Sequence, residues 1–208
     1  MSPKTDPNKK PLTFGHYVQS NIALDADSID YLVRHCRRIK ISRGDFLLRK
    51  DMTCRHTFFV EQGLLKKYTI DSKGREHILL FAPENWLVCN VETLFFGKPS
   101  SYFIEAIEDS TVLLIDGGTM EMLQHTYAQF ADFRQQLLYS HVHELERRVS
   151  QLMGDSAEER YLDFMKRYPS LAMRLPQVEV AAYLSVAPES LSRVRRELAS
   201  RGCKPKNY

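Results

Sequence analysis

The chain has 208 residues, of which 43% are hydrophobic and 26% charged, and a formal net charge of +3. This is ordinary globular usage: it excludes a disordered or fibrous class, and no run approaches the roughly 18 apolar residues that a membrane helix needs. So small a net charge does not by itself argue for a nucleic-acid partner.

Met1 to Lys10 lack the apolar core of a signal peptide, so the expected location is cytoplasmic. Cys36, Cys54, Cys89 and Cys203 are widely spaced, with no Cys-x-x-Cys pair, and read as ordinary reduced thiols. The length suits two smaller domains.

From Asp25 to Arg38, apolar side chains at Ile29, Leu32, Val33 and Cys36 follow the spacing of one helix face, with Asp25 or Asp27 as cap. From Ile39 the texture changes to short aromatic and β-branched runs, Thr57 to Val60, Tyr68 to Ile70 and Ile78 to Phe81, separated by Gly44, Gly63 and Gly74. Two more runs, Tyr102 to Ile107 and Thr111 to Ile115, complete an all-β stretch over Ile39 to Ile115, which reads as a sandwich, barrel or roll.

Thr126 to Met153 contain neither Gly nor Pro and carry Phe130, Phe133, Leu137, Leu138, Val142, Leu145, Val149 and Leu152 at gaps of three and four. That spacing predicts one amphipathic helix of about 42 Å, longer than a small β domain covers. An identical helix is the simplest partner for the remainder, which predicts a homodimer through Phe130, Phe133, Leu137, Leu145 and Leu152. Gly154-Asp155 is a candidate hinge, and Ser156-Ala157-Glu158-Glu159 has the form of a capping box opening a helix with Tyr161, Leu162, Phe164 and Met165. Pro169 and Pro176 bracket a short connection before two further helices, Gln177 to Leu184 and Pro188 to Leu198.

Folded as helix, tight turn, helix, the segment Val178 to Leu198 turns Val180, Ala181, Leu184, Val186, Leu191 and Val194 to an inner corner. It leaves Glu189, Ser190, Ser192, Arg193, Arg195 and Arg196 outside. Pro188 suits the first turn of the second helix, and Ser185 stands where such turns often carry glycine. Arg193 can offer a fork to guanine, Glu189 can accept from cytosine, and Ser190 or Ser192 can reach a base edge or a phosphate. Arg195 and Arg196 are expected on other faces, at phosphates. Six basic against two acidic residues from Ala187 to Tyr208, Lys204 and Lys206 among them, make this the basic end of the chain.

At this point the sequence resembles the Crp/Fnr family of bacterial transcriptional regulators. Glu189-Ser190-Leu191-Ser192-Arg193 matches the recognition-helix motif of its fumarate-nitrate branch, and Pro83-Glu84-Asn85-Trp86 precedes the place of the family's ligand cassette. The resemblance implies an α+β fold with three parts. Residues 1–117 are a cyclic-nucleotide-binding-like β-roll sensor, 118–153 a dimerisation helix, and 154–208 a helix-turn-helix DNA-binding domain. It also implies a homodimer on palindromic double-stranded DNA, RNA polymerase as a further partner, and no enzymatic activity.

The family's cassette uses a Gly-Glu pair on the ribose and an Arg-Ser pair on the cyclic phosphate, where this chain reads about Cys89-Asn90 and Ser100-Ser101. Loss of the arginine argues against cyclic AMP held in the usual manner. The absence of an N-terminal cysteine cluster argues against an iron–sulfur sensor. No cofactor is expected, and an effector pocket is placed by position at Asn90, Glu92, Ser100 and Ser101.

Other constellations carry less. His141 and His143, two apart on a helix, point to different faces and cannot share one ion. His56 and His77 raise the rival reading of a cupin-like β-roll metalloenzyme or small-molecule binding protein with an incidental helical tail.

Overall fold

The computed structural model describes residues 11–201. Two short helices lead the chain, α1 (Phe14–Asn21) and α2 (Ala26–Arg34), each with a side-chain cap, from Thr13 and Asp25. The predicted helix through Arg38 stops at Arg34. Arg37 and Arg38 instead open β1 (Arg37–Ile41), because their backbone pairs with Leu114 and Leu113 in the sheet.

The strands β2 (Phe46–Leu48), β3 (His56–Gln62), β4 (Leu65–Ile70), β5 (Glu76–Ala82), β6 (Leu87–Val88), β7 (Phe103–Ala106) and β8 (Ser110–Asp116) follow, interrupted by the short α3 (Val91–Phe96). They form two four-stranded antiparallel sheets, in the orders β1-β8-β3-β6 and β2-β7-β4-β5. This is the expected roll.

Alternation along the strands explains why so many read as continuous apolar runs. In the first sheet Phe58, Val60 and Val112 face the space between the sheets. Their neighbours Phe59, Leu113 and Ile115 face outward onto α1 and α2. A strand buried on both faces loses its polar alternate positions. The β3–β4 turn needs Gly63, at φ +98°, because a Cβ there would lie 2.2 Å from the Ser110 hydroxyl oxygen.

After β8 come α4 (Gly117–Thr126) and the 27-residue α5 (Ala128–Gly154), about 40 Å long. The C-terminal domain holds α6 (Ala157–Arg167), α7 (Pro169–Arg174), α8 (Gln177–Leu184) and α9 (Pro188–Ser200). The capping box at α6 is formed, with the Ser156 and Glu159 side chains each serving the other's backbone N–H. What sequence read as a connection between Pro169 and Pro176 is the helix α7, which Pro169 starts at its first turn.

The N-terminal helices are fastened to the roll by one buried carboxylate. Glu61 accepts the backbone N–H of Phe14 at 3.1 Å and the Arg38 fork at 2.5 and 2.9 Å. Burial would raise its pKa, but these donors outweigh it and hold it below the usual glutamate range.

A depressed carboxylate pKa contributes stability that is complete above the unfolded value and fades as pH falls through the folded one. Arg38→Met removes the fork and leaves burial to raise the Glu61 pKa. It should cost about 1–3 kcal/mol at pH 7, reduced from the fully buried case because Arg38 is half exposed. The difference from wild type should shrink as pH is lowered into the carboxylate range, as urea titrations at pH 7 and pH 4.5 will show.

Candidate nucleic-acid interface and sensor cassette

The α8–α9 corner is built as its residue pattern requires. Val180, Ala181, Leu184, Leu191 and Val194 are buried, with Val186 packed beside them. Ser185 caps α8 in the left-handed region, at φ 55°, ψ 45°, and the Val186 N–H returns to the Ala181 carbonyl at 3.1 Å. Ala181 is almost wholly buried at the point where the chain turns back.

On α9, Glu189, Ser192, Arg193, Arg195 and Arg196 are exposed and Ser190 is half-buried. Among the described residues, none of the three arginines is paired with a carboxylate. Because α9 is continuous, Arg196 stands one turn beyond Arg193, on the same stripe as Glu189 and Ser192. The expectation that Arg196 points elsewhere is thereby corrected; Arg195 alone of the pair is turned aside. Lys204 and Lys206 lie outside the described residues, as does Cys203.

The cassette residues satisfy one another. Asn90, buried and capping α3, donates to the Ser100 hydroxyl, which in turn donates to the Tyr102 carbonyl at 2.7 Å. Glu92 accepts the Ser101 N–H at 2.8 Å and its hydroxyl at 3.1 Å, and the backbone bond above all holds its pKa below the usual value. Lys67, which sequence reasoning passed over, lies inside the roll. It donates to the Cys89 carbonyl at 3.1 Å with Tyr102 beneath it, and burial lowers its pKa. Alternation within β4 placed it inward, a signal hidden by the adjacent Lys66, which faces out.

The long-helix stripe is divided between two tasks. Phe130 and Phe133 are 3% and 6% exposed, packed with Tyr17 and Phe59 of the same chain, and Leu137 joins that cluster. Phe130 and Phe133 have almost no free surface for a partner, which corrects that part of the expected interface, while Leu137 is only partly buried. Leu138, Val142, Leu145, Val149 and Leu152 remain exposed, at gaps of four, three, four and three.

The C-terminal domain is docked on the roll. Leu64, Tyr68, Ile78 and Phe81 on the outer face of the second sheet share one core with Phe164, Leu171, Tyr183 and Leu191. Phe81 meets the Phe164 and Tyr183 rings at 6.5 and 5.3 Å. Ion pairs flank this seam. Lys66, 4% exposed, reaches Glu76 at 2.6 Å and Glu179 of α8 at 3.0 Å. Burial alone would lower its pKa, but the two carboxylates raise it. Arg174 of α7 reaches Glu84 at 2.8 Å, Glu108 at 2.6 Å and the Gly63 carbonyl at 3.2 Å. These residues lie 66 to 111 positions apart in sequence, beyond the reach of local pattern.

The two histidines of the metal reading lie in different sheets. His56 neighbours Cys54 at 3.7 Å and His77 pairs with Asp71 at 3.0 Å; among the described residues no three His, Cys, Asp or Glu could hold an ion. Nor, among them, is any helix long and apolar enough to cross a membrane.

Residues 38–127 match the family model of the cyclic nucleotide-binding domain. The solved structure of FixK2 from Bradyrhizobium japonicum is similar at TM-score 0.67 and 20% identity, over 80% of this chain and 86% of that one. The c-di-GMP responsive global regulator CLP of Xanthomonas campestris is similar at 0.69 and 16%, over 86% and 93%. A structure described as a transcriptional regulator of the Crp/Fnr family, from Eubacterium rectale, is similar at 0.68 and 18%, over 90% and 89%. No curated protein matches the sequence. Residues 38–127 are thus similar to the cyclic nucleotide-binding domain, and the chain has the fold of these solved structures.

Arg174→Met leaves Glu84 and Glu108 without their cation, in a network about one quarter exposed. We expect a loss of about 1–3 kcal/mol and partial release of the C-terminal domain. Limited proteolysis should show faster cleavage near Gly154-Asp155. Emission from Trp86, the single tryptophan, should shift to the red at lower urea than in wild type.

Proposed function

We propose that this chain is a homodimeric, sequence-specific DNA-binding transcriptional regulator whose recognition element is α9. The observation that carries the reading is the α8–Ser185–α9 corner, which presents Glu189, Ser192, Arg193 and Arg196 as one exposed stripe with uncommitted guanidinium groups. A helix of that face, entered from its N-terminal end, fits the major groove. Arg193, nearer that end, reads a guanine, and Arg195, turned aside, holds a phosphate. Arg196 extends the reading stripe toward the backbone. The Crp/Fnr fold supports the same conclusion, and contact with RNA polymerase belongs to it.

The dimer follows from the exposed part of α5. Its gaps of four and three are a heptad seam with Val142 and Val149 at one core position and Leu138, Leu145 and Leu152 at the other, the combination that favours two parallel strands. The sensor reading assigns the roll an effector other than a cyclic nucleotide bound in the usual way, since Asn90, Glu92, Ser100 and Ser101 already bond to one another.

Selection of sites from random duplex DNA tests the first part. Wild type should yield a palindromic consensus, with affinity falling steeply as salt rises. Arg193→Ala should cost about 1–3 kcal/mol on that site and relax the choice of base at one position per half-site. Arg195→Ala should weaken all sequences alike and make the salt dependence shallower. A protein that binds no duplex at low salt would overturn the reading.

Sedimentation tests the second part: wild type should be a dimer at micromolar concentration. Val149→Glu, which places a charge in the seam and touches nothing in the roll, should be a folded monomer.

A further inference from the structure

A partly enclosed cavity of about 40 Å³ lies where the roll, α5 and the C-terminal domain meet. Phe81 and Trp86 wall it from the roll, His141, Glu144 and Arg148 from α5, and Tyr183 from α8. At about 10–15 Å³ for each water-sized occupant, it holds some three or four heavy atoms.

Arg148 is 8% exposed, and its guanidinium sits 4.0 Å over the centre of the Tyr183 ring. Its sequence neighbour Arg147 holds Glu144 and Asp163, and Lys66 and Arg174 each hold two carboxylates across the seam. Arg148 has no carboxylate at ion-pair distance among the described residues. Glu144 does not serve it, being bound by Arg147 and by the Tyr168 hydroxyl at 3.1 Å. A buried charge without a counter-charge is costly, and the Tyr183 face returns only part of that cost. Desolvation accordingly lowers the Arg148 pKa, and nearby Arg147 and Arg160 lower it further.

One missing group, an acceptor of negative charge, completes Arg148, and the cavity beside it has room for that group.

We infer that this cavity is a binding site for a small planar oxyanion, a short carboxylate or bicarbonate, held by the Arg148 guanidinium. The guanidinium fork suits two coplanar oxygens, and the volume limits the ligand to the size of formate, acetate or bicarbonate. The walls come from three parts of the chain, so the ligand binds only when these are docked and stabilises that arrangement by mass action. The inference rests on the sensor reading and gives the effector a chemical class, and its melting and emission readouts are separate from DNA binding.

Full-length protein is melted and its Trp86 emission recorded in sodium formate, acetate and bicarbonate, with ionic strength held constant by sodium chloride. Formate or acetate responding alone identifies a carboxylate ligand, and bicarbonate responding alone identifies bicarbonate. Either anion should give a saturable change in emission and a melting temperature raised by several degrees. Arg148→Met should abolish both effects. Arg148→Lys, the fallback should the methionine variant not fold, keeps the charge without the fork and should weaken binding tenfold or more.

No response beyond chloride, or an equal response in Arg148→Met, would overturn the proposal. So would an Arg148→Met protein that is more stable than wild type in a wild type that ignores all three anions. That result would make the arginine a structural cation over Tyr183. DNA binding unchanged alongside a negative result leaves the reading of α9 standing.

Discussion

The second sheet of the roll has an apolar outer face, and everything after Gly154 is arranged to cover it. Leu64, Tyr68, Ile78 and Phe81 are outward residues of β4, β5 and the turn before them, and all are buried under α6, α7 and α8. Exposed, a contiguous patch of this kind is a liability for any soluble protein. Covered, it joins the two domains into one core, so the corner that presents α9 is positioned by the roll as well as by the linker. The inward residues of the same strands, Leu65 and Ala82, join Ile104 and Ala106 of β7 in the interior of the roll. Alternation in β4 and β5, adjusted by the register shift between Lys67 and Tyr68, therefore serves both contacts.

Apolar burial alone would leave the register of this docking loosely defined. Lys66 and Arg174 supply the definition, because each has carboxylates on the roll or the C-terminal domain that only one placement brings within reach. Such pairs contribute modestly to net stability, since desolvation offsets most of the attraction, but a misplaced docking leaves charges buried and unpaired. The penalty falls on the wrong arrangements. Gly63 ties this to the backbone: its N–H donates to Glu84 and its carbonyl accepts from Arg174, in a turn too crowded for any side chain.

How much of this was legible in sequence depends on the range over which each contact acts. The α6 capping box, the Pro188 start of α9 and the Ser185 turn are set by neighbours within a few residues, and their positions follow from the pattern. The end of α2 does not. Cys36 continues the helical period beyond Arg34, and pairing of Arg37 and Arg38 with β8, some 75 residues away, overrides it. α3 had its signals, Asn90 before it and Gly97 after it at φ 61°, but six residues are too few for periodicity to register. The stripe on α5 showed which residues are apolar without showing what covers them. Phe130 and Phe133 therefore read as interface when Tyr17 and Phe59 already occupy them. The Arg174 and Lys66 pairs were beyond any local argument.

That division of α5 has a mechanical consequence. No Gly or Pro interrupts residues 129 to 153, so the helix carries displacement along its length without an obvious place to absorb it. Its first turns are fixed to the roll through Phe130 and Phe133, and its last turns to α6 through Arg147 and Asp163. Between them the exposed seam from Leu138 to Leu152 occupies one face, and His141, Glu144 and Arg148 meet the roll and the C-terminal domain on another. A change in how the roll sits against His141 and Arg148 must therefore rotate or shift the seam, the α6 attachment, or both. Because interdigitated cores deform in discrete steps rather than continuously, a contact at this junction bears on the placement of α9 more directly than one in the cassette, whose polar groups are already bonded to one another.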